Sequence, residues 1–397
     1  MSIDTLTPLT PEQQRDSRRL SWAYFGYFGV LALIVPYLAV FLDALGFNSR
    51  QIGELIAFAT LCRIVGPPLW GTFCDYRGER LPAIRLGVLA TLALLMVLNH
   101  VTSFLGVAIV LALISLFWSA ILPQLEVVTL NTLGQHQHRY SRIRSGGSFG
   151  FIVVALVAAE LMAWGGKTSY PWLAAALLVP LAIVVWILRE PKAEAKPIAH
   201  EQTSGQSMLQ SVFKRQFLFF IASSILLQLS FAPFYAFFAL YLGQLGYAPM
   251  AVGAMIALGV AAEVIMFLLA GKILVRFRLS RVLAFCMAVS AVRWWLMGAY
   301  AELFWVMVAA QLVHAFSFAL HHSCAIKFLH RHFPKAQQSR GQALYLGIGY
   351  AGGGAIGALV TGILWQDGAG AELTFSLAAL AALIGAFAAL GVAEKRS

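Results

Sequence analysis

Apolar stretches about as long as a bilayer is thick recur along the whole of this chain, and that recurrence leaves few folds open. A helix needs about 20 mostly apolar residues to cross the hydrocarbon core. Twelve such segments can be drawn, at 20–43, 50–72, 82–99, 104–133, 142–164, 171–188, 215–243, 248–271, 280–299, 302–327, 338–365 and 372–392, with short polar joints between most of them. In lipid the backbone must satisfy its own hydrogen bonds, so these spans are helices. A transmembrane barrel would show alternating segments of roughly ten residues, and the sequence has none. Hydrophobic residues make up 60% of the 397 and charged ones 11%, whereas a soluble globule is nearer ~45–50% apolar. The expected fold class is an all-α polytopic membrane protein with twelve transmembrane helices.

The net charge of +11 would suggest nucleic acid if the basic residues formed one patch. They do not. All but four of the 28 lysines and arginines fall in the two tails and at the even-numbered joints. Arg50 and Lys167 lie on the opposite side, and Arg63 and Arg293 lie inside helices. This is the positive-inside asymmetry. It predicts an inner (plasma) membrane protein with both termini cytoplasmic, with the bilayer rather than a nucleic acid as its surroundings. The polar first 19 residues have no signal-peptide pattern. Cys62, Cys74, Cys286 and Cys324 are scattered, which argues against disulfides and zinc. No HExxH or intramembrane aspartate pair occurs, so neither an enzyme nor a cofactor or metal site is expected.

The long polar joint before residue 215 divides the spans six and six. LGFNSRQIGELIA from Leu45 matches LGYAPMAVGAMIA from Leu245, an offset of 200 residues that also pairs Gly53 with Gly253 and Gly71 with Gly271. A duplicated six-helix unit is the natural reading. The expected organisation is a cytoplasmic tail 1–19, a bundle 20–188, a linker 189–214, a bundle 215–392 and a tail 393–397. At the same offset Arg63 is the counterpart of Glu263, so two in-membrane charges hold equivalent places.

GTFCDYRGER, after the second span, spaces Gly71, Asp75, Arg77, Gly78 and Arg80 as G-x3-D-x-R-G-x-R. It resembles the signature loop of the major facilitator superfamily, with Tyr76 where Arg is usual. The resemblance implies two pseudo-symmetric six-helix bundles and a charged cluster that latches one conformation by pairing with helix ends on the cytoplasmic side. An ordinary charged turn is the alternative.

Glu263, Arg293 and His314 sit about 22, 20 and 18 Å into three consecutive helices by the helical rise. A charge at mid-bilayer costs about 2.5–3.5 kcal/mol on insertion scales, so the three need each other or a wet cavity. Either they couple a proton to a conformational change or Glu263 and Arg293 form a static pair. EVIMFLLAGKI, AVRWWLMG and QLVHAFSF resemble helices 8, 9 and 10 of lactose permease and, more closely, the 3-phenylpropionate permease-like branch. That resemblance implies proton coupling by Glu263, Arg293 and His314. Ser317 and Gln311 depart from the sugar permease, which has an acid and a base there.

LPQLEVVTL and YSRIRSGGSFG supply Glu126 and Arg144, similar to the sugar-contacting pair of that permease; a surface ion pair is the other reading. Arg63, about 20 Å into its helix, suits a carboxylate. Tyr24 and Tyr27 on helix 1, with Phe234 and Phe238 on helix 7, could receive an aromatic ring or simply pack. GYAGGGAIGALVTG, from Gly349, lacks a phosphate loop's lysine and should let helix 11 approach a neighbour. The function expected from the resemblance is proton-coupled uptake of a small organic acid, such as 3-phenylpropionate or another aromatic carboxylate, by a monomer. Sugar or nucleoside symport and drug export remain alternatives.

Overall fold

The computed structural model describes residues 9–190 and 207–392. Both chain ends and most of the 189–214 linker lie outside the described residues. Among the described residues all regular structure is helical: α1 (Pro11–Ala44), α2 (Ser49–Arg77), α3 (Leu81–Leu98), α4 (Phe104–Trp118), α5 (Ile121–Leu133), α6 (Tyr140–Gly165), α7 (Tyr170–Ile187), α8 (Met208–Val212), α9 (Arg215–Gln244), α10 (Pro249–Arg276), α11 (Leu279–Ala299), α12 (Phe304–Ala315), α13 (His321–His332), α14 (Gln338–Leu344), α15 (Gly353–Trp365) and α16 (Ala371–Leu390). Among the described residues, eleven continuous helical stretches are long and apolar enough to cross a membrane.

One of them, Phe104–Gly165, has 62 residues. Straight, it would reach about 93 Å, three times the hydrocarbon core, so it must double back. It does so at Gly134, where φ is +52°, and the 3₁₀ turn Gly134–Arg139. The contacts with α1 show the reversal. Trp118 stacks on Tyr27 and Thr129 bonds Tyr24, so α4 and α5 run down α1, whereas Gly150 abuts Phe25 and Val154 abuts Gly29, so α6 runs back up. The stretch is therefore two crossings, and the described residues make twelve.

α1 begins well before residue 20 because Thr10 caps it. Thr10 Oγ1 accepts from the Gln13 N–H at 3.2 Å while the Gln13 side chain accepts from the Thr10 N–H at 3.1 Å, a reciprocal capping box. The repeat is visible in the backbone. α1 and α9 both end in a leucine followed by a glycine of left-handed conformation, Gly46 at φ +87° and Gly246 at φ +82°. Only glycine takes that turn without strain.

The chain forms two compact units, Met1–Leu45 with Cys62–Pro197, and Gly46–Leu61 with Ile198–Ser397. Residues 46–61, expected with the N-terminal bundle, thus pack in the second unit. The reason is steric. A Cβ on Gly53 would stand 2.5 Å from the Ala358 carbonyl oxygen, so only glycine lets this part of α2 lie on α15. The Asp367 carboxylate also accepts from the Ser49 N–H at 3.0 Å and its hydroxyl at 2.6 Å, capping the start of α2.

In the first unit α1 is the axis, packed by α5, α6 and α7. Gly146 and Gly150 of the SGGSFG stretch let α6 close on Ser21 and Phe25. Trp164 and Trp172 stand exposed at one end of the unit, Trp22 and Trp186 at the other, as in the aromatic belts of membrane proteins. In the second unit α9 lies between α15 and α16. Gly353 and Gly357 press α15 onto the α9 backbone, the close approach expected of the glycine run. Cys62, Cys74 and Cys286 are free thiols, and Cys324 Sγ donates to the Leu279 carbonyl at 3.4 Å.

Candidate functional site

The second unit gathers the three charges expected from the sequence. α10 carries Glu263, α11 carries Arg293 and α12 carries His314. The order of the contacts differs from a simple Glu–Arg pair. His314 stands between the other two, with Nε2 at 2.6 Å from Glu263 Oε1 and Nδ1 at 2.8 Å from Arg293 Nη1. Arginine can only donate, so Nδ1 accepts and the imidazole hydrogen is on Nε2, which donates to the Glu263 carboxylate. The three groups form one directional chain, cation to neutral imidazole to carboxylate, with no net charge.

Arg293 is 1% exposed, and its guanidinium is held by what the two departures from the sugar permease provide. Nη1 reaches Ser317 Oγ at 3.4 Å and Nη2 reaches Gln311 Oε1 at 3.5 Å. A neutral serine and glutamine leave Glu263 as the only acid among the described residues in contact with this network. The guanidinium also lies over the rings of Trp294 at 4.2 Å and Phe234 at 4.6 Å. Such cation–π contacts are worth ~2 kcal/mol or more when desolvated. The Trp294 indole donates to Ser230 Oγ at 3.1 Å, which fixes that ring from α9. Arg293 Nε and Gln311 Nε2 remain buried donors with no acceptor.

Phe234 is part-exposed beneath Arg293. Phe238, one turn on, is 2% exposed, and Tyr24 and Tyr27 are buried too. Tyr24 bonds Thr129 at 3.1 Å and Tyr27 stacks on Trp118 at 4.5 Å. These three side chains pack helices in this conformation and do not offer a ring to a solute. Helix 1 must close on α4 and α5, and its aromatic stripe is the surface that does it.

In the first unit Arg63 is exposed, lies beside Tyr27 and Tyr170, and makes no hydrogen bond or ion pair among the described residues. Glu126 and Arg144 do meet, but loosely. Arg144 Nε is 4.0 Å from Glu126 Oε1 with the side chains 29% and 40% exposed. Tyr140 donates to the same oxygen at 3.1 Å, and the Arg144 guanidinium covers Phe28 at 3.9 Å. Gly147 leaves the space these two fill.

The GTFCDYRGER cluster is also assembled. Arg80 Nη2 is 2.6 Å from Asp75 Oδ1 and its Nη1 donates to Gln124 at 3.2 Å. Glu190, at the end of α7, accepts from the Arg80 and Leu81 N–H groups at 2.7 and 3.0 Å, a carboxylate at the start of α3. Gly78 makes the turn at φ +74°, Arg77 covers Phe73, and Gly71 meets no tight neighbour.

Sequence reasoning missed Trp294 and Phe318 around the charges, and named Phe231 only among the helix 7 aromatics. Phe231 lies 5.6 Å from His314 and Phe318 lies 5.7 Å from it. Phe318 was discoverable, since it follows His314 by one helical turn.

The comparisons with known proteins agree with this architecture. A profile of the MFS_1 like family matches residues 17–377. The chain belongs to that family. It is a multi-pass transporter of the major facilitator type. It is 27% identical to the probable 3-phenylpropionic acid transporter of Escherichia coli (strain K12), over 93% of this chain and 97% of that protein. It is 26% identical to the maltose permease of Geobacillus stearothermophilus, over 91% of each. The crystal structure of the nucleoside transporter NupG superposes with a TM-score of 0.78 at 18% identity, covering 95% of this chain and 98% of that one.

Proposed function

We propose that this transporter imports a small organic acid, an aromatic carboxylate such as 3-phenylpropionate, together with protons, by alternating access in the inner membrane with both termini cytoplasmic. The observation that carries the reading is the Glu263–His314–Arg293 chain. Glu263 as carboxylate accepts the imidazole hydrogen. A proton arriving on Glu263 cancels its charge and leaves Arg293 as an unbalanced buried cation, a state costly in the membrane. Protonating His314 instead ejects Arg293 from Nδ1. Either event changes what the helices α10, α11 and α12 can hold together, and that is how a proton gradient can drive a conformational change.

An anionic solute supplies what the site lacks. Among the described residues two buried donors, Arg293 Nε and Gln311 Nε2, stand unsatisfied beside His314, and in the first unit, taken by itself, Arg63 has no acceptor. An unmet buried donor costs about 1–3 kcal/mol, which carboxylate oxygens would recover. Phe234 offers the ring of an aromatic acid a face. The relative named for 3-phenylpropionic acid points the same way. The Asp75–Arg80 cluster acts as a conformational latch, and the protein works as a monomer.

A second reading is sugar uptake. The Glu126–Arg144 pair offers both a donor and an acceptor to hydroxyls, and one relative is a maltose permease. Proteoliposomes with an imposed inward pH gradient, given labelled 3-phenylpropionate or labelled maltose, separate the two. Accumulation of the acid, abolished by collapsing the gradient, is the expected result. Gradient-driven accumulation of maltose alone would replace the first reading by the second.

A further inference from the structure

His314 is followed at four-residue spacing by Phe318 and His322, and the three rings stack. Those of His314 and Phe318 are 5.7 Å apart and inclined by 20°, and those of Phe318 and His322 are 6.2 Å apart and inclined by 9°. A regular α-helix advances about 100° per residue, which would set positions 314 and 322 about 80° apart around the axis. The π turn Phe316–Leu320 takes up about one extra residue and cancels most of that offset. A wider turn, weaker as a helix, is kept at the place where it lines up two imidazoles with a phenyl ring between them.

His322 Nδ1 is buried without a partner, though the residue as a whole is only part-buried. It lies eight residues, about 12 Å, nearer the basic end of its helix, whose last turn holds His330, Arg331 and His332. Around it a second π turn, Tyr345–Gly352, brings Tyr345 to 6.3 Å from His322 and Tyr350 to 6.5 Å from Phe318. The titratable neighbours of the stack are Glu263 and Arg293 at His314, Tyr350 at Phe318, and Tyr345 with His321 at His322. Among the described residues no carboxylate contacts His322, so a proton it takes up is passed on rather than held in an ion pair.

We propose that His314, Phe318 and His322 form a gated proton conduit, with the Phe318 ring as the plug and His322 as the station that carries the proton toward the basic, cytoplasmic end. This rests on the proton-coupled reading above. The Glu263 carboxyl gives its proton to water once Phe318 turns aside, and that water gives one to the His322 Nδ1 lone pair. The proton on His322 Nε2 then leaves to water. Only O–H and N–H bonds change. With Phe318 in place an apolar ring separates the two imidazoles, and a dry constriction blocks conduction as hydrophobic gates do.

The test uses the full chain in proteoliposomes with a pH dye inside and an imposed potential. Without solute, wild type should be tight and Phe318→Ala should leak protons, whereas Phe318→Leu should stay tight. His322→Gln should slow 3-phenylpropionate-coupled, or maltose-coupled, proton entry about a hundredfold, at the modest end of what a single proton-transfer group contributes, with solute exchange unchanged. Thermal melting of each variant in detergent confirms that it is folded. A tight Phe318→Ala together with full-rate His322→Gln overturns the conduit alone if Glu263→Gln still abolishes proton entry. Proton entry in Glu263→Gln equal to wild type overturns the coupling reading, and the conduit with it.

Discussion

Arg63 and Glu263 occupy the same place in the duplicated unit, yet their surroundings are opposite. Arg63 on α2 is exposed and, among the described residues, makes no hydrogen bond or ion pair. Glu263 on α10 is 13% exposed and bound to His314, which is bound to Arg293. One scaffold position has been used twice. A free guanidinium can meet a solute but has nothing to transmit a change to. A carboxylate wired through an imidazole to a buried cation transmits any change in its charge to three helices. In our reading the first unit receives the acid at this position and the second senses the proton.

The sharpest way to break this contrast is stability. Arg293→Met should leave the Glu263 carboxylate buried without its cation, and losing one partner of a buried pair costs about 3–5 kcal/mol. Thermal unfolding in detergent should show a large loss, mostly restored by adding Glu263→Gln. Arg63→Met should cost far less stability than Arg293→Met, because among the described residues it breaks no hydrogen bond or ion pair. Equal losses at both positions would show that Arg63 is as embedded as Arg293.

A smaller effect lies in recognition. Arg63→Gln should weaken 3-phenylpropionate binding about tenfold or more, the size of a charged hydrogen bond, and leave the amide analogue's binding unchanged. Calorimetry on the two ligands checks it. An equal loss for acid and amide would make Arg63 a structural residue. Smallest of all, Arg144→Gln should cost under about 1 kcal/mol of stability, because a half-exposed pair 4.0 Å apart is worth little. A drop of several kcal/mol would mean that its cation–π contact with Phe28, 3.9 Å from the ring centre, holds α6 to α1.

Much of the architecture was legible because membrane solvation is so restrictive. Apolar length alone defines the twelve crossings, and Gly46 and Gly246 reveal the repeat because each ends a helix in a conformation that glycine favours. The sequence also brought Glu263, Arg293 and His314 together, since unpaired charges are not tolerated at that depth. It could not give their order. Helical rise sets depth, not which side chain lies between two others, and the imidazole bridge depends on rotamers. Aromatic residues were the least legible. Tyr24, Phe238 and Phe234 look alike in sequence, yet the first two are buried in packing and only Phe234 stays part-exposed. The π turn at Phe316–Leu320 has no simple sequence signature, so the stacked rings it creates could not be foreseen. The share of α2 that packs in the second unit was hidden too, because Gly53 and Gly362 meet across a long stretch of chain.

The most direct measurement of the central claim is solute-driven proton movement. Proteoliposomes are suspended in unbuffered medium without a gradient, 3-phenylpropionate is added outside, and the external pH is followed for wild type and Glu263→Gln. The account predicts alkalinisation by wild type and none by Glu263→Gln, with the variant still exchanging labelled for unlabelled solute. Alkalinisation of equal size in both, or solute entry into wild-type vesicles with no pH change, would contradict it.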